Sequence, residues 1–186
     1  MPGFAHFDPT AKGLAAPVSA VIRGATHDDL DPLAAFKLAV VTRSRDDWAD
    51  MIDKSLEDDR LLLVADVEGE IAGFAQAHFL EQHSVDHGPE GFYLTGVTVL
   101  SNYRRAGLGR SFTVARLDWI RQRADEVWYF ANADNRTSIQ LHLEFGFEEV
   151  RRAQVLHGVT FDGGEGILFR ASLDSGASRE EVHARP

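Results

Sequence analysis

The most informative stretch of this chain reads Tyr103-Arg104-Arg105-Ala106-Gly107-Leu108-Gly109. It follows a valine-rich segment that ends at Val99 and precedes a segment with helical periodicity, so it predicts a tight turn between a strand and a helix. Glycine lets the backbone approach an anion closely because it has no Cβ. The first N–H groups of a helix lack intrahelical acceptors, and the helix dipole there favours negative charge. The stretch therefore predicts a pyrophosphate site, to which Arg104 adds a cation.

Charge is unevenly distributed along the chain, which carries a formal net charge of −10. Residues 101–124 hold six arginines and one aspartate, whereas residues 26–70 hold 13 acidic and five basic residues. A local basic segment in an acidic protein favours a small phosphorylated ligand over a nucleic acid, which needs a broadly basic face. The acidic segment would suit a cationic substrate, although solvated helix faces are the simpler interpretation.

Length and composition indicate one domain. The chain has 186 residues and no cysteine, which excludes disulfides, thiolate metal ligands and a cysteine nucleophile. Residues 1–17 are predicted to form a flexible leader without a signal-peptide pattern, residues 18–174 the domain, and residues 175–186 a flexible tail. No apolar run approaches membrane-spanning length. We therefore expect a cytoplasmic protein with neither a membrane nor a nucleic acid as partner.

Hydrophobic periodicity predicts a mixed α/β (α+β) fold, with a sheet of about seven strands flanked by about four helices. The predicted strands are 19–23, 60–67, 71–80, 92–99, 126–131, 148–156 and 166–173. The predicted helices are one capped by Thr26 that runs through Val40, and the segments 45–56, 108–124 and 135–145.

Two of these segments have side chains that are predicted to share one face. In the second helix the apolar residues recur every four positions, at Trp48, Ile52 and Leu56. In the strand before the glycine turn, regular alternation places one set of side chains together, namely Tyr93, Thr95, Val97 and Val99.

The motifs resemble those of the GNAT superfamily, the acetyl-CoA-dependent N-acetyltransferases. The coenzyme motif of that family is similar to residues 99–109, and its second motif is similar to residues 135–142 followed by Phe145-Gly146-Phe147. The likeness covers roughly residues 19–173, because the order of elements matches as well. It implies a GNAT-like fold around a central twisted mixed sheet, and transfer of an acetyl group from acetyl-CoA. The turn is neither a Walker loop nor a dinucleotide fingerprint, whose glycines are spaced differently.

The resemblance also implies which residues bind the cosubstrate. The strand backbone at Val97, Thr98 and Val99 would pair with the pantetheine arm. The turn would surround the pyrophosphate with Arg104, Arg105, Ala106, Gly107, Leu108, Gly109 and Arg110. Asn135 and Ser138 would bind the coenzyme at the start of the next helix. No metal is expected, because the eight histidines show no metal-ligand spacing.

One departure from the family pattern concerns the proton donor. The family usually has a tyrosine, which protonates the departing thiolate, at the position of His142. Histidine has an ordinary pKa of about 6.5, below the pKa of about 8.5 of a thiol. His142 is therefore the candidate catalytic residue that stabilises or protonates the coenzyme thiolate.

A second departure concerns the base. Some aminoglycoside acetyltransferases of the family have a glutamate where Thr95 stands, and threonine is not a base at neutral pH. Several alternatives stay open. A proton relay through water would use one of His78, Glu81, His83, His87 and Glu90. An amine with a low pKa would need no strong base.

The sequence thus predicts an N-acetyltransferase that moves an acetyl group from acetyl-CoA to a primary amine of a small cationic molecule, by direct attack in a ternary complex. The alternatives are a non-catalytic acyl-CoA-binding sensor and an acetyltransferase that acts on a protein amine. A homodimer is expected from the resemblance alone.

Overall fold

The computed structural model describes residues 17–36 and 43–173. The helices are α1 (Leu30–Ala34), α2 (Arg45–Lys54), α3 (Leu108–Ile120) and α4 (Arg136–Leu143). The strands are β1 (Val21–Gly24), β2 (Arg60–Val67), β3 (Glu70–Leu80), β4 (Gly91–Val99), β5 (Glu126–Asn132), β6 (Glu148–Ala153), β7 (Val155–Leu156), β8 (Val159–Thr160) and β9 (Gly166–Ser172). The predicted tail, the predicted leader except Pro17, and Val40 of the first predicted helix lie outside the described residues.

Seven strands form one mixed sheet in the order β1-β2-β3-β4-β5-β9-β6, and β7 pairs with β8 in a separate hairpin. All neighbours in the large sheet are antiparallel except β4 and β5, which are parallel. A parallel pair needs a crossover, and α3 provides it because it follows β4 and precedes β5. The predicted mixed sheet with four helices is confirmed.

Helices cover both faces of the sheet, so its central strands are buried on two sides. On one face, α1 and α2 pack against β2 and β3, and the ring of Trp48 meets that of Phe74 edge-on at 4.9 Å between centroids. On the other face, α3 packs through Leu108 and Phe112 against small β3 residues such as Ala75. We call these the α2 face and the α3 face of the sheet. A side chain on β3 or β4 thus lies on one face or the other according to its register.

Strand β4 contains a β-bulge at Gly96, which changes the faces predicted for its side chains. Thr95 lies opposite Gln76 of β3, but Val97 lies opposite Ala75, so Gly96 is an extra residue. Gly96 has a φ of +37°, which glycine adopts readily. The prediction of one shared face was therefore wrong: Thr95 lies on the α2 face, whereas Val97 lies on the α3 face with Ala75.

Helix α2 is shorter than predicted. Ser44 and Asp47 form a reciprocal cap at its start, with the Ser44 N–H donating to Asp47 Oδ2 at 2.7 Å and the Asp47 N–H donating to Ser44 Oγ at 3.1 Å. The helix ends at Lys54, and the Ser55 hydroxyl then donates to the Ile52 carbonyl at 2.7 Å. The turn that follows carries Leu56 away from the core, where 79% of it is exposed.

This difference gives a matched stability test. Ile52→Ala removes a side chain that is 1% exposed, so we expect the free energy of unfolding to fall by about 2–5 kcal/mol. Leu56→Ala should change it by less than about 0.5 kcal/mol, because the side chain is in solvent. Urea denaturation measures both. Equal losses of stability for the two variants would show that Leu56 is also buried, as the longer helix predicted from the sequence requires.

Candidate active site

Strand β4 parts from β5 halfway along its length. The two strands pair only at Tyr93 with Trp128 and at Leu94 with Tyr129. From Thr95 onward, the edge of β4 that faces β5 has no strand partner among the described residues. An unpaired strand edge presents a row of N–H and C=O groups that can pair with an extended ligand.

The register with β3 shows which backbone groups point to this open edge. The Leu100 N–H donates to the Ala72 carbonyl at 2.9 Å, next to the Gly73–Val99 pair. Because the pairs of an antiparallel ladder alternate, Val99 and Val97 turn their backbone groups away from β3, whereas Thr98 pairs with β3. Of the three strand residues that the resemblance implied, Val97 and Val99 therefore present backbone groups to the open edge.

The open edge leads to the start of α3. Gly107 precedes this helix with a φ of +89° and makes no side-chain cap, and Arg105 also has a positive φ, of +61°. No carboxylate stands in the first turn of the helix to compete for its N–H groups. The Arg104 guanidinium lies close by, since its Nε donates to the Val99 carbonyl at 3.3 Å. The turn thus offers backbone donors and a cation to an anion at the end of β4.

Arg110 has a different environment from Arg104. Its Nη1 donates to Glu144 Oε2 at 2.6 Å, and its guanidinium lies 4.9 Å from the ring centroid of Phe145. These contacts connect the first turn of α3 to the residues just after α4. Arg110 would have to leave Glu144, or share it, in order to bind a phosphate.

The C-terminal half of α4 lies beside the start of α3. A Cβ on Gly109 would lie 3.5 Å from Leu141 Cδ2, so the two helices are in contact there. The Asn135 side-chain oxygen accepts from the Ser138 N–H at 3.3 Å, and the Ser138 hydroxyl is 2.6 Å from the Tyr129 hydroxyl on β5. Asn135 and Ser138 are thus close to the gap between β4 and β5, with part of their hydrogen-bonding capacity used within the protein.

His142 is buried in the angle between α4 and β5. Its ring stacks on Tyr129 with 3.8 Å between centroids, and only 4% of the residue is exposed. Nδ1 lies 2.8 Å from the Ser138 carbonyl, which can only accept, so Nδ1 carries the proton in this contact. Nε2 is buried without a hydrogen-bond partner among the described residues.

Burial also changes the acidity of this histidine. It lowers the pKa of His142 to about 4, mainly because a charged ring would lose its hydration. The ordinary pKa assumed from the sequence was therefore wrong. The ring is neutral at pH 7, with an acceptor at Nε2 instead of a donor. As placed here, its one ring proton is donated from Nδ1 to the Ser138 carbonyl, and Nε2 has none to give to a thiolate.

A second polar pair lies on the α2 face. His78 Nε2 is 2.7 Å from the Thr95 hydroxyl, and burial lowers the pKa of His78 to about 4. The sequence drew attention to each residue separately but not to their contact, because the Gly96 bulge sets the register between β3 and β4. Alternating patterns in the sequence carry no signal for such a bulge.

The other residues considered as bases lie in the loop between β3 and β4. Glu81, His87 and Glu90 are exposed, and His83 Nδ1 lies 3.0 Å from the Asp86 carboxylate. Asp86 in turn accepts from the Gly88 and Gly158 N–H groups and so connects this loop to the β7–β8 hairpin. The structure brings none of these four side chains into contact with Thr95.

Comparison with known proteins agrees with this geometry. Residues 29–147 match the sequence model of the acetyltransferase (GNAT) family. The fold is similar to that of the ribosomal-protein-alanine N-acetyltransferase from Brucella melitensis, at 24% identity and a TM-score of 0.67, covering 82% of this chain and 99% of that one. It is also similar to the ribosomal-protein-S18-alanine N-acetyltransferase from Escherichia coli, at 18% identity and a TM-score of 0.63, covering 87% and 98%.

A third similar structure was solved with the cosubstrate. It is a phosphinothricin acetyltransferase from Sinorhizobium meliloti in complex with AcCoA, at 16% identity and a TM-score of 0.64, covering 89% of this chain and 94% of that one. A search of curated proteins gives no match to this sequence.

A strand edge that opens beside a helix start suits a coenzyme with an amide-rich arm and a diphosphate. Since the family model matches more than half of the sequence, the chain belongs to the GNAT acetyltransferase family. It is an N-acetyltransferase, and its cosubstrate is acetyl-CoA. Among the described residues, no group of three or more His, Asp or Glu is placed to hold a metal ion. No described helix is both long and apolar enough to cross a membrane.

The neutral state of His142 can be tested by titration. We expect its imidazole resonances in NMR spectra to titrate near pH 4 instead of 6.5. Since the unfolded chain then binds more protons between about pH 6.5 and 4, this histidine lowers the free energy of unfolding as the pH falls through that range. His142→Phe should weaken this pH dependence. A ring that titrates near 6.5 in the folded protein would contradict the account.

Proposed function

We propose that this protein transfers the acetyl group of acetyl-CoA to a primary amine of a small cationic molecule, by direct attack in a ternary complex. The observation that carries the proposal is the open edge of β4, which ends at the uncapped start of α3. Such an edge offers N–H and C=O groups to the amides of a pantetheine arm, and such a helix start offers N–H donors to a diphosphate.

In this proposal the coenzyme follows the open edge. Its pantetheine amides pair with the backbone of Val97 and Val99, and Thr98 holds this segment of β4 on β3. Its diphosphate lies against the turn from Arg104 to Arg110, with Gly107 allowing close approach. Asn135 and Ser138 flank the coenzyme at the start of α4. No metal is required, because backbone donors and arginine supply the positive potential.

The reaction is a direct exchange at the thioester carbon. The amine lone pair forms the C–N bond, the C–S bond breaks, and the electron pair of that bond leaves on sulfur. One proton is lost from the amine nitrogen, and one is gained by the coenzyme sulfur. Val97 would polarise the thioester carbonyl through its N–H, which points to the open edge, so the protein contributes mainly position and polarisation.

The acceptor amine would approach from the α2 face. Thr95 and His78 form a hydrogen-bonded pair there, next to the bulge. Because burial lowers the pKa of His78 to about 4, this pair is a poor base and instead accepts a hydrogen bond from an amine that has already lost its extra proton. The acidic segment of residues 26–70, which includes α1 and α2, favours a cationic substrate.

His142 would act on the leaving group in a way that fits its neutral state. Its Nε2 is an acceptor without a partner among the described residues, whereas the coenzyme leaves as a thiol that can donate. We assign to His142 the stabilisation of this product thiol. The proton itself comes through solvent from the attacking nitrogen, which becomes positively charged as the C–N bond forms.

A protein amine is the second candidate acceptor. The fold is similar to two ribosomal-protein-alanine N-acetyltransferases, whose names state a protein substrate. These likenesses are below 25% identity and show the fold alone. A test of the acceptor therefore has to include peptides. Homodimer formation and a cytoplasmic location stay predictions from the sequence.

Two matched glycines test the anion site. Gly107 and Gly69 have φ values of +89° and +88°, and a Cβ on either would meet nothing within 4 Å. Alanine at either position should cost a similar stability, about 1–2 kcal/mol. Only Gly107→Ala should weaken acetyl-CoA binding, by about tenfold or more, because its Cβ crowds the helix start. Calorimetry gives the acetyl-CoA affinity of both variants. Equal affinities would contradict the placement of the diphosphate at this turn.

Release of free CoA across a panel of amines tests the acceptor. We expect polyamines or aminoglycosides to be acetylated faster than peptides with a free N-terminus, with kcat/KM rising about tenfold per pH unit below the pKa of the amine. Thr95→Val should lower kcat/KM for the amine and leave acetyl-CoA affinity unchanged. Faster peptide turnover would select the protein substrate, and tight acetyl-CoA binding without turnover of any amine would select the sensor.

A further inference from the structure

Helix α3 buries an arginine that the chemistry above does not use. Arg116 is 1% exposed and lies on the side of α3 that faces the sheet. No carboxylate among the described residues forms an ion pair with it. Placing a charge in a protein interior costs several kcal/mol unless partners offset it. A buried cation without a counter-ion therefore needs an explanation in terms of what surrounds it.

The guanidinium is held by four hydrogen bonds to neutral groups. Within α3, Nε donates to the Phe112 carbonyl at 3.2 Å, and Nη2 donates to the Thr113 hydroxyl at 3.3 Å. Across the sheet, Nη1 donates to the carbonyls of both Gln76 and Thr95 at 3.2 Å. Gln76 and Thr95 are the facing residues immediately before the Gly96 bulge. Arg116 thus joins the two strands at the point where their register shifts.

The same position lies beside the gap between β4 and β5. Pairing of β4 with β5 stops at Leu94, one residue before Thr95. Burial lowers the pKa of Arg116 to about 9, so it still carries its charge at pH 7. Its charge also reaches the two rings on the other side of the gap. It adds to the lowering of the His142 pKa, whose main cause is burial, and it opposes the raising of the Tyr129 pKa by burial.

We propose that Arg116 is a positioning residue for acetyl transfer. It fixes the β4 bulge so that the Val97 N–H points at the thioester carbonyl. Its charge also stabilises the negative charge that develops on the carbonyl oxygen and the sulfur. This inference rests on the proposed function. A fixed cation in a water-poor site acts on such charge more strongly than one in solvent. Because Arg116 acts on the thioester without touching it, we expect a smaller effect on the rate than that of a direct hydrogen-bond donor.

Three substitutions separate the charge from the packing. Arg116→Gln keeps a hydrogen-bond donor and removes the charge, and Arg116→Lys keeps both the charge and an N–H donor for the strand carbonyls. Arg116→Met removes the charge as well and serves where Arg116→Gln does not fold. Arg121→Gln is the control, because Arg121 follows α3 in the exposed pair with Asp118. Thermal melting first establishes which variants are folded.

Steady-state kinetics gives the main result. We expect the charge-free variants to lose about 10- to 100-fold in kcat with KM for acetyl-CoA changed less than about twofold, since only the transition state carries the developing charge. Arg116→Lys should recover most of kcat, and Arg121→Gln should match the wild type. An equal loss in the lysine and charge-free variants, or an unchanged kcat without the charge, would overturn the proposal.

A second readout does not depend on turnover. In the charge-free variants the pKa of His142, followed by NMR, should rise relative to the wild type, whereas in Arg116→Lys it should stay low. Tyr129 is the other titratable group that interacts with the charge of Arg116, and it stays neutral over the pH range in which His142 titrates. If the pKa of His142 does not change, the charge of Arg116 does not act across the gap, and the proposal is wrong. If the wild-type protein acetylates no amine, the proposed function is wrong, but the titration still tests whether the charge of Arg116 acts on His142.

Discussion

The pairing between β4 and β5 ends after two residue pairs, and the rest of the site depends on this limit. A fully paired sheet would leave no backbone group for a ligand, because each N–H and C=O would already have its partner. Here the Gly96 bulge turns β4 while its other edge stays on β3. Val97 and Val99 are thus held rigidly and still have backbone groups to offer. A ligand strand can take the place that β5 leaves.

Helix α3 contributes its uncapped start, where backbone donors are unsatisfied, whereas at the start of α4 the Asn135 side chain already accepts from the Ser138 N–H. α3 leads away from β4 through a glycine with positive φ, and α4 lies against it through Leu141. A cosubstrate with an amide-rich arm and a diphosphate matches this order of strand edge, then turn, then helix. In the proposed binding mode, one short segment, from Val97 to Arg110, would therefore hold the coenzyme largely with its backbone.

Burial shifts the pKa of four ionisable groups around the gap, and all four shifts disfavour the charged form: those of His78, Arg116, Tyr129 and His142. His78 and His142 are neutral at pH 7, while Arg116 keeps its charge because its ordinary pKa is so high. In the part of the chain that the structure describes, a buried cation and two weakly basic histidines thus lie beside the gap, in addition to the arginines of the turn. Such a site favours attack by an amine that is already neutral, and it assigns catalysis to position and electrostatics more than to proton transfer by a side chain.

The sequence predicted what local patterns encode. The bounds of β2 and the glycine turn before α3 follow from alternation and from Gly107, and both agree with the structure. The errors came from tertiary context. Leu56 continues the helical spacing of α2, yet Ser55 ends that helix, and Gly96 reverses the faces of β4 without any break in composition. The pKa of His142 depends on burial, which residue type does not reveal.

Amide hydrogen exchange at β4 tests the central claim most directly. In the free protein, the N–H groups of Val97 and Val99 should exchange faster than that of Thr98, which pairs with β3. With saturating acetyl-CoA, both should become protected, while the β2–β3 turn at Gly69 should not change. Slow exchange of Val97 and Val99 in the free protein, or exchange that saturating acetyl-CoA leaves unaltered, would contradict the account.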